Sequence, residues 1–388
     1  MEMQRLIEIQ NSMIEMNNKK YELTEEMRIL EDGTVLHRIR ALQDINLPGE
    51  LFVHKGDEGG WIEKECNLSQ SGKSWVLRDA CVYGNAIVYC DARIRGEACV
   101  YEYACVGGSA CVYNNARIYG SAFISGNSRI YGNVRVYGNA LVCNNAKIDG
   151  DVEIFEDADV YGEAEIYENA KIYGSAEVYG SALVRGKAHV HGNAHVYGNS
   201  LVDDVSNVHG DVKVYGQTEI TADACVASIN DYATYKNMWS SGRFFTYTRS
   251  NGKWKVGCFF GTGEELNAKA YKDSKLSGKC YEAAVRMQEA IDIAVSQEAK
   301  KDKMSNSKQE VLKSVRNFDK YKTAEEALAA IRDNRCYVND PIAERKLTVN
   351  WLYAEEEKAS AKKANGDAEK PAKNQDYGVE VGSQSSDV

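Results

Sequence analysis

Proline is almost missing from this chain, with 3 among 388 residues, where about 5% would be ordinary. Long apolar runs are missing too: none approaches the ~18 residues of a membrane span, so no membrane partner is expected. Basic residues are in deficit, 47 Lys+Arg against 57 Asp+Glu for a net charge of −10. That balance argues against nucleic acid as a partner, because backbone binding rests on clustered Lys and Arg. The 11 cysteines are too sparse for a disulfide scaffold, and none lies in a CxxC pair that would mark structural zinc. No metal and no cofactor is expected. The start of the chain, Met1 to Leu6, lacks the basic and apolar stretches of a signal peptide, which makes the cytoplasm the expected compartment. Apolar residues at 44% and charged ones at 27% exclude a wholly disordered chain. In excess stands tyrosine, 24 against 8 Phe and 5 Trp. Tyrosine without proline points to regular, strand-rich architecture.

The periodicity is explicit. From Val76 to Val226 every sixth residue is Val or Ile, twenty-six positions without an exception, insertion or deletion. Four residues after each aliphatic, 25 positions hold 18 Ala, 3 Ser, 3 Val and 1 Thr. Two residues after it, Gly fills 16 of 25 positions and Asn114 and Asn144 two more, the residues that tolerate positive φ. In a unit such as Ala-x-Val-Tyr-Gly-Asn the Ala and Val share one face of a strand, and Gly-Asn makes a corner. Six residues bury nothing alone, so the strands must stack as a coil. Three sides close an 18-residue triangular turn, giving about 8.7 turns over the twenty-six units.

This pattern resembles the hexapeptide repeat of left-handed parallel β-helices. The resemblance covers about 150 residues and implies a mainly β fold, a parallel β-helix with α+β caps. The hand is implied by the resemblance alone, since parallel crossovers are otherwise right-handed. A right-handed solenoid, as in polymer-forming cytoskeletal proteins, is the alternative. Many hexapeptide-repeat proteins are acyltransferases, usually trimers, with a His base and an acyl-CoA cleft between subunits. Under that reading His189, His191 and His195 are the candidate bases. Such enzymes commonly extrude a loop from the coil to wall the site, and this repeat extrudes none.

Stacking residues 18 apart writes out the outer faces. One carries Tyr83, Tyr101, Tyr119, Tyr137, Phe155 and Tyr173, then His191 and His209, beside a column of Cys81, Cys99, Arg117, Arg135, Glu153, Lys171 and His189. A second carries Tyr89, then Tyr161, Tyr179, Tyr197 and Tyr215, beside an apolar stripe of Ile87, Cys105, Phe123 and Leu141. The third is charged, with Arg93, Arg95, Arg129, Asp149, Glu165, Arg185 and Asp203. The aromatic ladders either stiffen successive turns or offer a flat surface to sugars, peptides or bases. The apolar stripe is expected to lie under another segment or a neighbouring subunit. His189, His191 and His209 meet on one face, where the plain expectation is substitution for Tyr in the ladder rather than metal ligation. Cys81 and Cys99 sit one turn apart, close enough to bridge; in a reducing cytosol two thiols are expected.

The flanks read as caps. Residues 1–20 form an amphipathic helix on Met3, Leu6, Ile7, Met13 and Ile14. Residues 21–75 form a β cap, with a hairpin over 27–45 turning at Asp32-Gly33. The Gly-rich stretch Lys55–Glu63 lacks the ending of a phosphate loop. After the repeat (76–226), residues 227–299 form a ββαα cap: strands Phe244–Thr248 and Trp254–Phe260 around Asn251-Gly252, a capping box at Thr262–Glu265 and a second helix over 279–299. Residues 300–354 read as a linker with a short helix at 323–334, and 355–388 as a disordered tail. The succession HRIRAL (His37–Leu42), KGDEGGWIE (Lys55–Glu63), NLS (Asn67–Ser69) and VYGNA (Val82–Ala86) resembles uncharacterised repeat proteins of phages and gut bacteria. That implies a viral or prophage setting, with the host cytoplasm or the virion as the place. The function expected is a non-catalytic scaffold that binds protein partners or copies of itself, up to a homotrimer. An acyltransferase, or a module binding ligands on its Tyr faces, is the alternative.

Overall fold

The computed structural model describes residues 19–47 and 51–316. The predicted helix over 1–20 falls almost wholly outside them, as do the predicted helix at 323–334 and the tail. At its two described residues, Lys19 and Lys20, the chain is not helical. By contacts the chain divides at Ile293/Ala294, and the first unit holds every feature discussed below except the far half of the last helix.

Twenty-six two-residue strands, from β6 (Trp75–Val76) to β31 (Cys225–Val226), recur every six residues. They assemble into three parallel sheets in which each strand pairs with the one 18 residues on, as Val82↔Val100 and Val100↔Ile118. The fold is therefore a parallel solenoid of about nine turns. Its core is the repeat itself: the Val/Ile at each sixth position and the small residues four places later lie at or near zero exposure. Small residues are required there because side chains from three sides meet at the axis. At the corners, all 25 positions from Arg78 to Ala222 adopt positive φ, and nine are not Gly.

A parallel coil leaves its two ends chemically unlike. Each amide donates to the carbonyl 17 residues ahead, as Tyr101 N to Ile118 O. The first turn thus presents bare carbonyls and the last turn bare amides. Donors close the first end. Lys20 Nζ donates to Ser74 O at 2.8 Å, and the Tyr21 hydroxyl lies 2.7 Å from both Glu65 O and Leu68 O. A hairpin of β1 (Tyr21–Ile29) and β2 (Val35–Ala41) then pairs with β5 (Glu58–Ile62), which is itself a parallel rung on Cys81-Val82. The Gly-rich stretch serves this junction: a Cβ at Gly60 would stand 2.6 Å from Ala80 O.

Acceptors close the far end. Thr246 Oγ1 takes the Glu219 amide at 3.0 Å and Ser250 Oγ takes that of Cys225 at 2.8 Å. The cap is a four-stranded antiparallel sheet of β32 (Tyr232–Lys236), β33 (Phe244–Thr248), β34 (Lys253–Val256) and β35 (Phe259–Gly261). Two corrections follow. A strand precedes the predicted pair, and the predicted strand over 254–260 breaks in two at Gly257, whose φ is +56°. Helix α1 (Gly263–Asp273) opens on the expected capping box, with Thr262 Oγ1 accepting from Glu265 N. Helix α2 (Lys275–Arg316) starts before the predicted 279 and continues through residues whose composition predicts a linker. Among the described residues no helix is long and apolar enough to cross a membrane.

Candidate functional site

Three outward columns run along the first face. The aromatic column stacks without a gap: Tyr83, Tyr101, Tyr119, Tyr137, Phe155, Tyr173, His191 and His209 follow one another at ring-centroid distances of 4.6–5.2 Å. The rung spacing of a sheet sets that distance, so the stack follows from placing rings at one repeat position. Burial within the stack raises the phenol pKa values, that of Tyr101 to about 12.

Beside the rings runs the column from Cys81 to His189. Its middle is an ion-pair chain, with Glu153 held between Arg135 at 2.5 Å and Lys171 at 2.8 Å. A third column of amides and carboxylates flanks it: Asn115 donates to Asn133 at 3.0 Å, and Asn133 to Asp151 at 2.7 Å. Between the last two columns lies an open groove of about 510 Å³, where Arg117 and Arg135 face Asn115, Asn133 and Asp151. Charge of both signs lines it.

The candidate histidines separate. His191 continues the ring stack, with its Nε2 2.9 Å from Asn207 Oδ1. His189 stands edge-on to Tyr173, its Nδ1 3.5 Å from the hydroxyl, and burial together with the Lys171 charge lowers its pKa. His195 lies on the second face, 3.5 Å from Glu177 Oε2, so it joins no cluster with the other two. His209 ends the stack 3.3 Å from Cys225 Sγ. Among the described residues no group of three or more His, Cys, Asp or Glu is arranged to hold a metal ion.

On the second face Tyr161, Tyr179, Tyr197 and Tyr215 stack at 4.9–5.5 Å. Tyr89 stands apart, its ring lying over the bare Cα of Gly107. The apolar stripe keeps Ile87 42% and Phe123 40% exposed, with Cys105 and Leu141 half-buried. Among the described residues no segment covers it. The third face holds aromatic contacts that the charge pattern hid: Tyr113 stacks on Tyr131 at 4.9 Å under the Arg95 guanidinium. The same repeat position, read on all three sides, would have found them.

Comparison with known proteins agrees with this architecture. A family model described as the YdcK β-solenoid repeat matches residues 128–144. An uncharacterised acetyltransferase YdcK of Escherichia coli (strain K12) is 37% identical over 78 residues, 18% of this chain. The chain spans about a fifth of that relative, 22% of its length. The chain is built around a hexapeptide-repeat parallel β-solenoid, capped at both ends.

Proposed function

We propose that this protein is a non-catalytic scaffold, a capped solenoid whose faces hold protein partners or further copies of itself. One observation carries the reading. Twenty-six rungs succeed one another with no loop extruded between Trp75 and Val226, so the solenoid walls no cleft against water. Catalytic and ligand sites need concave, water-excluding surroundings, whereas rows of side chains on flat sheet suit an extended partner. The uncovered Ile87–Phe123 stripe supports self-association, and the resemblance of the flanks supports a phage or prophage setting. Phe123→Asp should lower the assembled mass in analytical ultracentrifugation and leave the monomer's melting curve intact. An identical mass for both proteins would remove that stripe as the interface.

The relative described as an acetyltransferase favours a second reading, acyl transfer between subunits. Thioester consumption from acetyl-CoA, lost in the His189→Ala, His191→Ala, His195→Ala triple variant, would replace the scaffold reading. A rate at background in the wild type would end the second one.

A further inference from the structure

Cys81 and Cys99 are in-register partners on neighbouring parallel rungs. Their Sγ atoms lie 3.0 Å apart. No other paired strand residues among those described bring two cysteines together: Cys105 lies between Ile87 and Phe123, Cys111 between Arg93 and Arg129, and Cys225 beside Asn207. Rungs of one sheet stand about 4.8 Å apart, inside the Cα–Cα window that a disulfide needs. The two thiols differ in surroundings. Cys81 is 4% exposed, packed under Trp61 and Leu36 of the N-terminal cap. Cys99 is half-buried, the more accessible of the two, and both line a groove of about 560 Å³ with Arg28, Trp61, Asp79, Glu97 and Arg117.

We propose that Cys81 and Cys99 form a dithiol–disulfide couple that exchanges with low-molecular-weight disulfides, Cys99 attacking and Cys81 resolving. Access decides the roles, since a small disulfide entering the groove meets Cys99 first. The Cys99 thiolate attacks one sulfur of RS–SR; the S–S bond breaks and RS⁻ leaves, taking a proton from water. Cys81 then loses its proton to solvent and attacks Cys99 Sγ, expelling the second RS⁻, which is protonated in turn. Two protein thiols are oxidised to one disulfide, and one small disulfide is reduced to two thiols.

Electrostatics supports the same assignment. The Cys81 thiol donating to Cys99 sulfur, with the Arg117 and Arg28 guanidinium groups nearby, outweighs burial and Glu97 and holds the Cys99 thiol below its ordinary value. The same contact, with burial, drives Cys81 up. A cytosolic setting is where such pairs are transient and exchange-active rather than structural.

The test treats the reduced full-length protein with oxidised glutathione under anaerobic conditions, traps free thiols with iodoacetamide and maps peptides by mass spectrometry. A Cys81–Cys99 link with two equivalents of glutathione released is expected. In Cys81→Ala, which removes both the resolving sulfur and the donor to Cys99, the reaction should stop at a glutathione adduct on Cys99, and the pH midpoint for Cys99 alkylation should rise. The proposal is overturned if Cys81 and Cys99 both stay alkylated in the wild type while exposed Cys258 takes up glutathione. An unmoved midpoint in the Cys81→Ala variant would overturn the division of roles.

Discussion

At each corner the backbone turns through positive φ, and the neighbouring coil decides what that costs. A Cβ on Gly138 (φ +71°) would stand 2.8 Å from the amide nitrogen of Glu156, one turn on. On Gly216 (φ +72°), near the end of the stack, it would meet nothing within 4 Å. Gly216→Ala therefore isolates the conformational cost of about 1 kcal/mol. Gly138→Ala adds a backbone clash and should cost about 2–3 kcal/mol. Urea midpoints of the two variants decide this, and equal losses would mean that close approach contributes nothing. Carboxylates at other corners recover part of the strain. Glu102, Glu156 and Asp204 accept the corner amides of Gly120, Gly174 and Ala222 at 2.8–2.9 Å, amides that the ladder leaves without a partner. Composition marks the Gly and Asn corners directly. Arg78, Cys90 and Glu168 adopt the same φ because coil register imposes it, and nothing in their chemistry announces it.

The two caps work by opposite chemistry, and each can be broken by one atom. Thr246 is 1% exposed, and its hydroxyl is the acceptor for the last-turn Glu219 amide. Thr246→Val keeps the shape and strands that amide, at about 1–3 kcal/mol. Thr246→Ser keeps the acceptor and should lose less. Hydrogen exchange should report the difference locally, with faster exchange at Glu219 in the valine variant alone; protection equal to wild type there would sink the capping role. At this scale the periodic part of the fold was legible, because six-residue spacing names every strand, face and core position. The caps were legible only as elements. The hairpin turn at Asp32-Gly33 and the Thr262–Glu265 box are local signals. Strand Tyr232–Lys236 and the hydroxyls that meet the coil's edge are set by tertiary contact, to which no short-range pattern points. For the same reason the stacking of the aromatic columns could be foreseen, while the separation of His195 from His189 and the pairing of Arg and carboxylate rows needed the fold.

Across the whole molecule, the stacked phenols make stability a function of alkaline pH. Burial is the leading cause that raises the pKa values of Tyr83, Tyr101, Tyr119, Tyr137 and Tyr173 in the first stack, and of Tyr161 and Tyr179 in the second. A phenol whose folded pKa lies above the unfolded value of about 10 binds more protons folded than unfolded. Its contribution is fully present below pH 10 and is lost as pH climbs through the folded pKa. Lys20 acts with the opposite sign. Burial holds its folded pKa near 8, so its charge penalty is full below 8 and relaxes as pH rises toward the unfolded value near 10.5. One lysine against a row of phenols fixes the net direction: stability should hold to about pH 10 and then fall steeply. Urea unfolding at a series of pH values, read beside tyrosinate absorbance, measures both sides of the linkage. Tyr119→Phe keeps its place in the ring stack and removes one titrating group, so its alkaline slope should be shallower than that of the wild type. Phenols that ionise near pH 10 while the protein remains folded would show that the stack does not hold their protons, and the ladder's part in alkaline stability would fall with them.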